Sequence, residues 1–285
     1  MDSINLLVSL DLNYLPQLQV LLTSIRLNCP GERFQIFLLH SGLPEYVLDS
    51  LSRWCADVSY GFTAIQAGEA LFQNAPVSKR YPREMYYRLL ASQLLPPGTD
   101  RTLYLDPDIL VINPLRPLWE TELEGNLFAA AAHTGKTELA NNVNRIRLGV
   151  NHNYYNSGVL LMDLALGREQ ILPDTLFDFV EEHAAELVLP DQDLLNAVYG
   201  DKILPLDDAI WNYDARNYNN YLLRSSGICN TEWVMANTSI LHFCGKAKPW
   251  KPNYIYRFGG LYQHYAQLAR KDWNDRMRCK RLNVE

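Results

Sequence analysis

Two carboxylates one residue apart, Asp106 and Asp108, follow the apolar run Leu103-Tyr104-Leu105, and the chain turns apolar again at Ile109-Leu110-Val111. A short buried strand ending at Leu105 releases both acids together at its carboxyl end, the edge at which open α/β sheets bind their ligands. Like charges this close are unfavourable unless a cation compensates them. A divalent metal held by one or two carboxylates keeps positions free for phosphate oxygens, so the spacing points to a metal–diphosphate site. A solvated Asp-Pro-Asp turn is the competing reading, because Asp and Pro are ordinary turn formers.

A second run, Ser239-Ile240-Leu241-His242-Phe243-Cys244-Gly245-Lys246-Ala247-Lys248-Pro249-Trp250, passes from an apolar strand into a Gly/Lys turn. A neutral imidazole ligates transition metals, glycine lets the backbone approach a phosphate closely, and lysine adds positive charge. His242 can therefore complete a metal site with Asp106 and Asp108; a lone histidine at a strand end also serves structure alone. At the amino terminus, Asp11, Asn13 and Tyr14 lie just past a first strand, where a nucleotide sits in an open α/β sheet. Asp11 can accept from a base imide, Asn13 can bond a ribose hydroxyl and Tyr14 can stack on the base; equally, Asp and Asn there can cap the following helix. Tyr155-Asn156-Ser157-Gly158 precedes another strand, and Pro190-Asp191-Gln192-Asp193 opens a helix, where acids are favourable in their own right.

The elements that must position these residues are readable from periodicity. Ile4–Leu10 and Phe34–Leu39 read as strands, Leu18, Leu21, Leu22 and Ile25 as one face of a helix opened by Pro16, and Val47, Leu48, Leu51 and Trp54 as another. This βαβα alternation predicts a parallel sheet flanked by helices. Pro82–Leu95 predicts a helix stopped by Pro96-Pro97-Gly98, and Leu127–Ala132 and Val159–Met162 predict further strands. His133–Asn153 is polar and without a clear period, which suits a lid or a partly helical excursion. No repeat or low-complexity linker divides the chain, so the expected organisation is one catalytic domain over 1–245 with an extension over 246–285.

Composition sets the outer limits. The chain has 285 residues, 48% hydrophobic and 20% charged, an ordinary globular balance. No run is long and apolar enough to cross a bilayer, the amino terminus lacks a secretory pattern, and five cysteines lack metal-type spacing. These features lead us to expect a cytoplasmic protein with reduced thiols. The net charge of −6 hides an asymmetry: from Lys246 onward ten basic residues face three acids, an excess of seven, which leaves the body at −13. An acidic body argues against nucleic-acid binding. The basic tail also carries Trp250, Tyr254, Tyr256, Phe258, Tyr262, Tyr265 and Trp273. Such a tail suits peripheral contact with the inner face of an anionic membrane, or a helix that packs its aromatic residues on the body and solvates its charges.

Taken in order, Asp11-x-Asn13-Tyr14, Tyr87-Arg88-Leu89, Tyr104-Leu105-Asp106-Pro107-Asp108, Tyr155-Asn156-Ser157-Gly158-Val159-Leu160, Asp191-Gln192-Asp193-Leu194-Leu195-Asn196 and His242-Phe243-Cys244-Gly245-x-x-Lys248-Pro249-Trp250 resemble glycosyltransferase family 8. These retaining enzymes include lipopolysaccharide galactosyl- and glucosyltransferases and glycogenin, and the resemblance runs from Ile4 to about Trp250. It implies a GT-A fold, a mixed and mostly parallel sheet between helices. It implies that Asp106, Asp108 and His242 hold a divalent cation, usually Mn2+ with Mg2+ the alternative, bridging the diphosphate of a UDP-sugar. Asp11, Asn13 and Tyr14 match uridine contacts, and Gly245 and Lys248 match diphosphate contacts. Arg88, Asn156, Asp191 and Gln192 match residues around the donor sugar, with Gln192 beside the anomeric carbon. Pro107 and Asp193 are counted with the substrate contacts. The segment Lys79-Arg80-Tyr81-Pro82-Arg83-Glu84 departs from the better-known bacterial pattern, so no acceptor contact is transferred there.

On this resemblance the expected reaction moves a hexose from UDP-glucose, or UDP-galactose as second choice, to a glycan or glycolipid. Gln192 is a poor nucleophile, which favours same-face attack with the departing phosphate oxygen taking the acceptor proton; a covalent route would use Asp191 or Asp193. Two other readings are a non-catalytic UDP-sugar-binding scaffold and a phosphatase using Asp106 as nucleophile. The phosphatase reading lacks the usual Gly-Thr continuation, since Ile109-Leu110 follows Asp108.

Overall fold

The computed structural model describes residues 2–78, 83–132 and 136–279. Arg80, Tyr81, the Pro82 helix start and the basic residues Lys280 and Arg281 lie outside them. Ten strands are present among the described residues: β1 (Ile4–Ser9), β2 (Phe34–His40), β3 (Gly61–Gln66), β4 (Arg101–Leu105), β5 (Ile109–Val111), β6 (Phe128–Ala131), β7 (Val159–Asp163), β8 (Ile203–Leu206), β9 (Tyr213–Asp214) and β10 (Ile240–His242). Seven form the main sheet in the order β3-β2-β1-β4-β7-β6-β8, and β5-β10-β9 form a small second sheet. In the main sheet β7 runs antiparallel to β4 and β6, and the other pairs are parallel. The βαβα alternation alone pointed to a parallel sheet; the sheet is mixed and mostly parallel, as the family resemblance implied.

Successive side chains of a strand point to opposite faces, and both faces of this sheet are covered. Leu6, Val8, Ile36 and Leu38 enter one core with the helices Leu15–Asn28 and Glu45–Asp57, whereas Leu7, Phe37 and Leu39 enter the other with Tyr86, Tyr87, Leu160 and Leu194. That double burial is why β1 and β2 read as nearly unbroken apolar runs. β3 was not legible for the opposite reason: it is an edge strand whose residues are only partly buried.

The site is set by how the chain leaves β4. Leu105 pairs with Val159 of β7, and Asp106 N–H donates to the Gly158 carbonyl at 2.8 Å, so Asp106 lies beside the start of β7. The Pro107 turn then carries the chain from the large sheet into the small one. There Ile109 pairs with His242, and Phe243 N–H donates to the Asp108 carbonyl at 3.0 Å. A histidine distant in sequence from the two acids is brought to them by this strand pairing.

Three further segments matter. The helix expected over Pro82–Leu95 is two single turns, Glu84–Tyr87 and Ala91–Leu94, because Leu90 leaves helical geometry at φ −96° and ψ 18°. The polar segment contains the helix Lys136–Leu148, as a helical excursion would. The tail forms the helix Gly259–Cys279, and Phe258, Tyr262 and Trp273 are buried in the main core. Trp273 stacks on Trp54 with centroids 4.7 Å apart and planes 3° from parallel, and the Trp54 indole donates to Asp272 at 3.0 Å. Most tail aromatics therefore pack on the body. Cys29, Cys55, Cys229 and Cys244 are buried free thiols, and no helix among the described residues is long and apolar enough to cross a membrane.

Candidate active site

Asp106, Asp108 and His242 each offer a ligand atom, and these atoms all lie within 4.8 Å of one another. His242 Nε2 is 3.2 Å from Asp108 Oδ1 and 3.8 Å from Asp106 Oδ2. Its other nitrogen, Nδ1, is 2.8 Å from Asn212 Oδ1; donating there aims the Nε2 lone pair at the carboxylates. Two carboxylates and an imidazole suit a divalent cation with oxygen-rich ligands. Gly158 closes the cradle from the other side. A Cβ there would stand 2.3 Å from His242 Cε1 and 2.5 Å from Asp106 Oδ2, so no other residue leaves this space open.

Both carboxylates carry compensation in the protein itself. Asp106 Oδ1 accepts from the Tyr104 hydroxyl at 2.7 Å and faces Arg88 Nη1 at 3.0 Å. Burial pushes the Asp106 carboxyl up, Arg88 opposes it and the nearby Asp108 charge adds to it. Asp108 Oδ2 accepts from Lys248 Nζ, which also donates to the Phe243 carbonyl at 2.8 Å. For Asp108, burial works upward but is outweighed by His242 and Lys248, which hold the acid well below the usual carboxylate range. Burial would lower the His242 imidazole, yet Cys244 and Asp108 beside it raise it well above its ordinary value. A cation entering this site therefore competes with a proton on His242.

Arg88 ties this cluster to the next. The same Nη1 that faces Asp106 is 3.3 Å from Asp191 Oδ2 and donates to the Ser157 carbonyl at 3.0 Å, while the guanidinium carbon lies 4.6 Å from the Tyr104 ring centroid. Asp191 also accepts from the Ser157 hydroxyl at 3.1 Å. From His242 a line of amides runs inward: Asn212 Nδ2 donates to Asn156 Oδ1 at 2.9 Å, and Asn156 Nδ2 donates to Gln192 Oε1 at 2.9 Å. Gln192 is thus oriented by the same chain of contacts that orients His242.

Two cavities meet at the aspartates. One, of 480 Å3, is lined by Asp11, Tyr14, Met85, Arg88 and Pro107 among others; its neighbour, of 440 Å3, is lined by Asn156, Gln192, Arg216, Cys244 and Gly245 among others. Asp106, Asp108 and Asp191 border both. Nearly all the residues singled out from the sequence are brought to this place. Asn13 is the first exception. Its backbone N–H, at 2.8 Å, and its side-chain amide, at 3.3 Å, both donate to Asp11, which caps the turn Leu12–Tyr14; Asn13 itself lines neither cavity.

Asp193 is the second exception. It is fully buried behind the cavity wall and accepts from Arg147 at 2.6 and 3.0 Å, from the Tyr154 hydroxyl at 2.5 Å, and from the Val188 and Leu189 amides at 2.6 and 2.9 Å. Burial works upward, but these donors hold its carboxyl below the usual value. With its oxygens engaged this way, it ties the helix Lys136–Leu148 to the segment before Pro190 and lines neither cavity. Asn212, Ser157, Tyr154 and Arg216 were missed by reading the sequence. Only Ser157 lay inside a recognised motif; the others are ordinary polar residues that strand pairing and helix packing bring in from a distance.

Comparison with known proteins agrees with this geometry. The family model for glycosyl transferase family 8 matches residues 5–253. General stress protein A of Bacillus subtilis is 27% identical over 272 residues, covering 93% of this chain and 92% of that protein. A lipopolysaccharide 1,2-glucosyltransferase of Escherichia coli K12 is 25% identical over 284 residues, covering 96% and 80%. In fold, the galactosyltransferase LgtC, solved with donor and acceptor sugar analogues, superposes with a TM-score of 0.76 at 22% identity, covering 93% of this chain and 95% of that one. The mixed sheet between helices is thus the GT-A architecture. A family match spanning this much of the sequence, laid on that architecture, makes the chain a member of glycosyltransferase family 8.

Proposed function

We propose that the protein transfers a hexose from UDP-glucose or UDP-galactose, with retention, to a glycan or glycolipid acceptor, and that Asp106, Asp108 and His242 hold the required metal. The observation that carries this reading is the placement of those ligands on the border of two cavities, one bounded by Asp11 and Tyr14 and the other by Gln192 and Gly245. Uridine fits the first, and the donor sugar with the acceptor beside it fits the second. The imidazole ligand favours Mn2+ over Mg2+, which prefers an all-oxygen shell. Bound there, the cation supplies positive charge to the diphosphate as it departs.

The chain's own residues then have separable roles. Lys248, already directed at Asp108, is placed to turn its ammonium toward a diphosphate oxygen and stabilise the leaving group by its charge. Arg88, Asp191 and Asn156 orient the donor sugar, and Gln192 Oε1 faces charge developing at the anomeric carbon. Asp191 faces Arg88 and accepts from the Ser157 hydroxyl, contacts that tie up a carboxylate oxygen and weaken it as a nucleophile, while Asp193 is spent on structural bonds. Same-face attack is therefore the mechanism we favour, with the leaving phosphate oxygen taking the acceptor proton. The extension over 246–285 contributes Lys248 to the site of the 1–245 body. In a cytoplasmic enzyme acting at a membrane, contact would fall to exposed residues such as Ile255 and Tyr256, because the helix aromatics are used in packing.

Isothermal titration of UDP with and without Mn2+, paired with hydrolysis of UDP-glucose, UDP-galactose and their N-acetyl forms, tests the proposal. We expect Mn2+ to tighten UDP binding and one hexose donor to be hydrolysed. Tight Mn2+–UDP binding without hydrolysis of any donor would favour the scaffold reading, and hydrolysis of a simple phosphomonoester without UDP binding would favour the phosphatase.

A further inference from the structure

Arg216 stands on the wall of the cavity at Gly245. Arg216 also borders a separate cavity of 480 Å3, lined by Arg216, Tyr218, Asn219, Ile255, Tyr256 and Arg257. Arg216 lines the acceptor cavity as well, whereas Tyr218, Asn219 and Arg257 have no part in the donor, metal or acceptor assignments.

Arg216 is held in place: Nε and Nη2 donate to Asp214 at 2.9 and 2.7 Å, and Asp214 is wholly buried. The remaining edge, Nη1, lies over Gly245, where a Cβ would stand 2.1 Å from it and where φ is +75°. Gly245 therefore leaves the room that this guanidinium edge occupies, and Arg216 borders both cavities. Across the second cavity, Arg257 stacks 4.0 Å over the Tyr218 ring and donates to Thr231 Oγ1 at 3.3 Å. Asp214 compensates one of the two guanidiniums, and no acid is among the residues that line this cavity. A positive mouth on a body of net −13 is a local reversal of charge that would draw in an anion.

Planar guanidinium forks match phosphate and carboxylate oxygens. We propose that this second cavity binds an anionic group, a phosphate or a carboxylate, carried by the acceptor glycan on a unit neighbouring the one that is glycosylated. The inference rests on the acceptor occupying the cavity at Gly245, so its test is separated from that reading.

Protein saturated with UDP and Mg2+, chosen because Mn2+ is paramagnetic, is titrated with glucose 6-phosphate, glucuronate and neutral glucose. The arginine Nε–H signals of Arg216 and Arg257 are followed by NMR, and bound UDP is monitored in the same samples to report on the donor site alone. Glucose 6-phosphate and glucuronate should shift both arginine signals and bind at least ~10-fold tighter than glucose, the factor expected from one charge-assisted hydrogen bond. Arg257→Gln should remove that preference while melting temperature and UDP affinity stay in place. Arg216→Lys should weaken it while keeping a cation opposite buried Asp214. Equal responses to the three sugars, displacement of UDP by the phosphate, or shifts produced by phosphatidylglycerol vesicles but not by glucose 6-phosphate would each overturn the proposal, the last by assigning the cavity to a membrane surface.

Discussion

Gly158→Ala isolates the metal cradle from the rest of the fold. The added Cβ would stand 2.3 Å from His242 Cε1 and 2.5 Å from Asp106 Oδ2, whereas carbon atoms in contact sit roughly 3.5–4.0 Å apart. Restoring contact requires the imidazole or the strand to move by about 1 Å, beyond the ~0.5 Å within which a site keeps its geometry. Gly158 is not in the left-handed region, so alanine brings no backbone strain and removes ~0.4–1 kcal/mol of unfolded-chain entropy. Overpacking costs ~1–3 kcal/mol, which leaves a net loss of about 2.6 kcal/mol or less. Metal affinity should fall further than stability, by ~10–100-fold, as when the support of a metal ligand is disturbed. Calorimetric titration of Mn2+ into the UDP-bound protein, with a melting curve on the same sample, measures both. A folded Gly158→Ala protein that binds Mn2+ like the wild type would refute the argument.

Three further outcomes follow from contacts described above. Gln192→Ala should lower kcat more than it raises KM, because the amide acts where charge develops in the transition state; an equal rise in KM with kcat unchanged would make Gln192 a ground-state contact. Asp11→Ala should weaken UDP alone by ~1–3 kcal/mol, and unchanged UDP affinity would reduce Asp11 to the cap of the Leu12–Tyr14 turn. Asp193→Asn should cost about 3 kcal/mol, the lower end for a broken buried pair because Arg147 keeps some contact with water. Since the folded Asp193 carboxyl is held below its ordinary value, its contribution is present at neutral pH and lost as pH falls through that depressed value. The wild-type and Asp193→Asn melting curves should therefore converge in strong acid, and a constant gap between them would contradict the assignment.

The legible part of this molecule was the part whose signal is local. β1 and β2 announce themselves because both faces of the sheet are covered, and Asp106 and Asp108 announce themselves because charge interrupts that apolar pattern. The antiparallel β7 was not legible, since strand direction depends on the excursion through Lys136–Leu148 and not on the composition of Val159–Asp163. Asn212 illustrates the same limit at the site. It is an amide beside Trp211 and Tyr213, and only the pairing of β9 with β10 places it next to His242. Asp193 shows the converse, for its neighbours Asp191 and Gln192 line the cavity while helical geometry turns Asp193 inward to Arg147. Replacing Asp106 or Asp108 would do more than relieve the repulsion between the two carboxylates. Asp106 is paired with Arg88 and Asp108 with Lys248, so each substitution takes a charged partner from a cation and should lower the melting temperature modestly.

The central claim is metal-dependent departure of UDP at Asp106, Asp108 and His242, and the rate of UDP release from a hydrolysable hexose donor as a function of Mn2+ concentration tests it most directly, in the wild type beside Asp108→Asn. The wild-type rate should rise to saturation with Mn2+. The folded Asp108→Asn protein should stay at least ~100-fold lower at every Mn2+ concentration, the scale of losing a principal electrostatic stabiliser of the transition state. Undiminished, Mn2+-saturable turnover by Asp108→Asn would contradict the account.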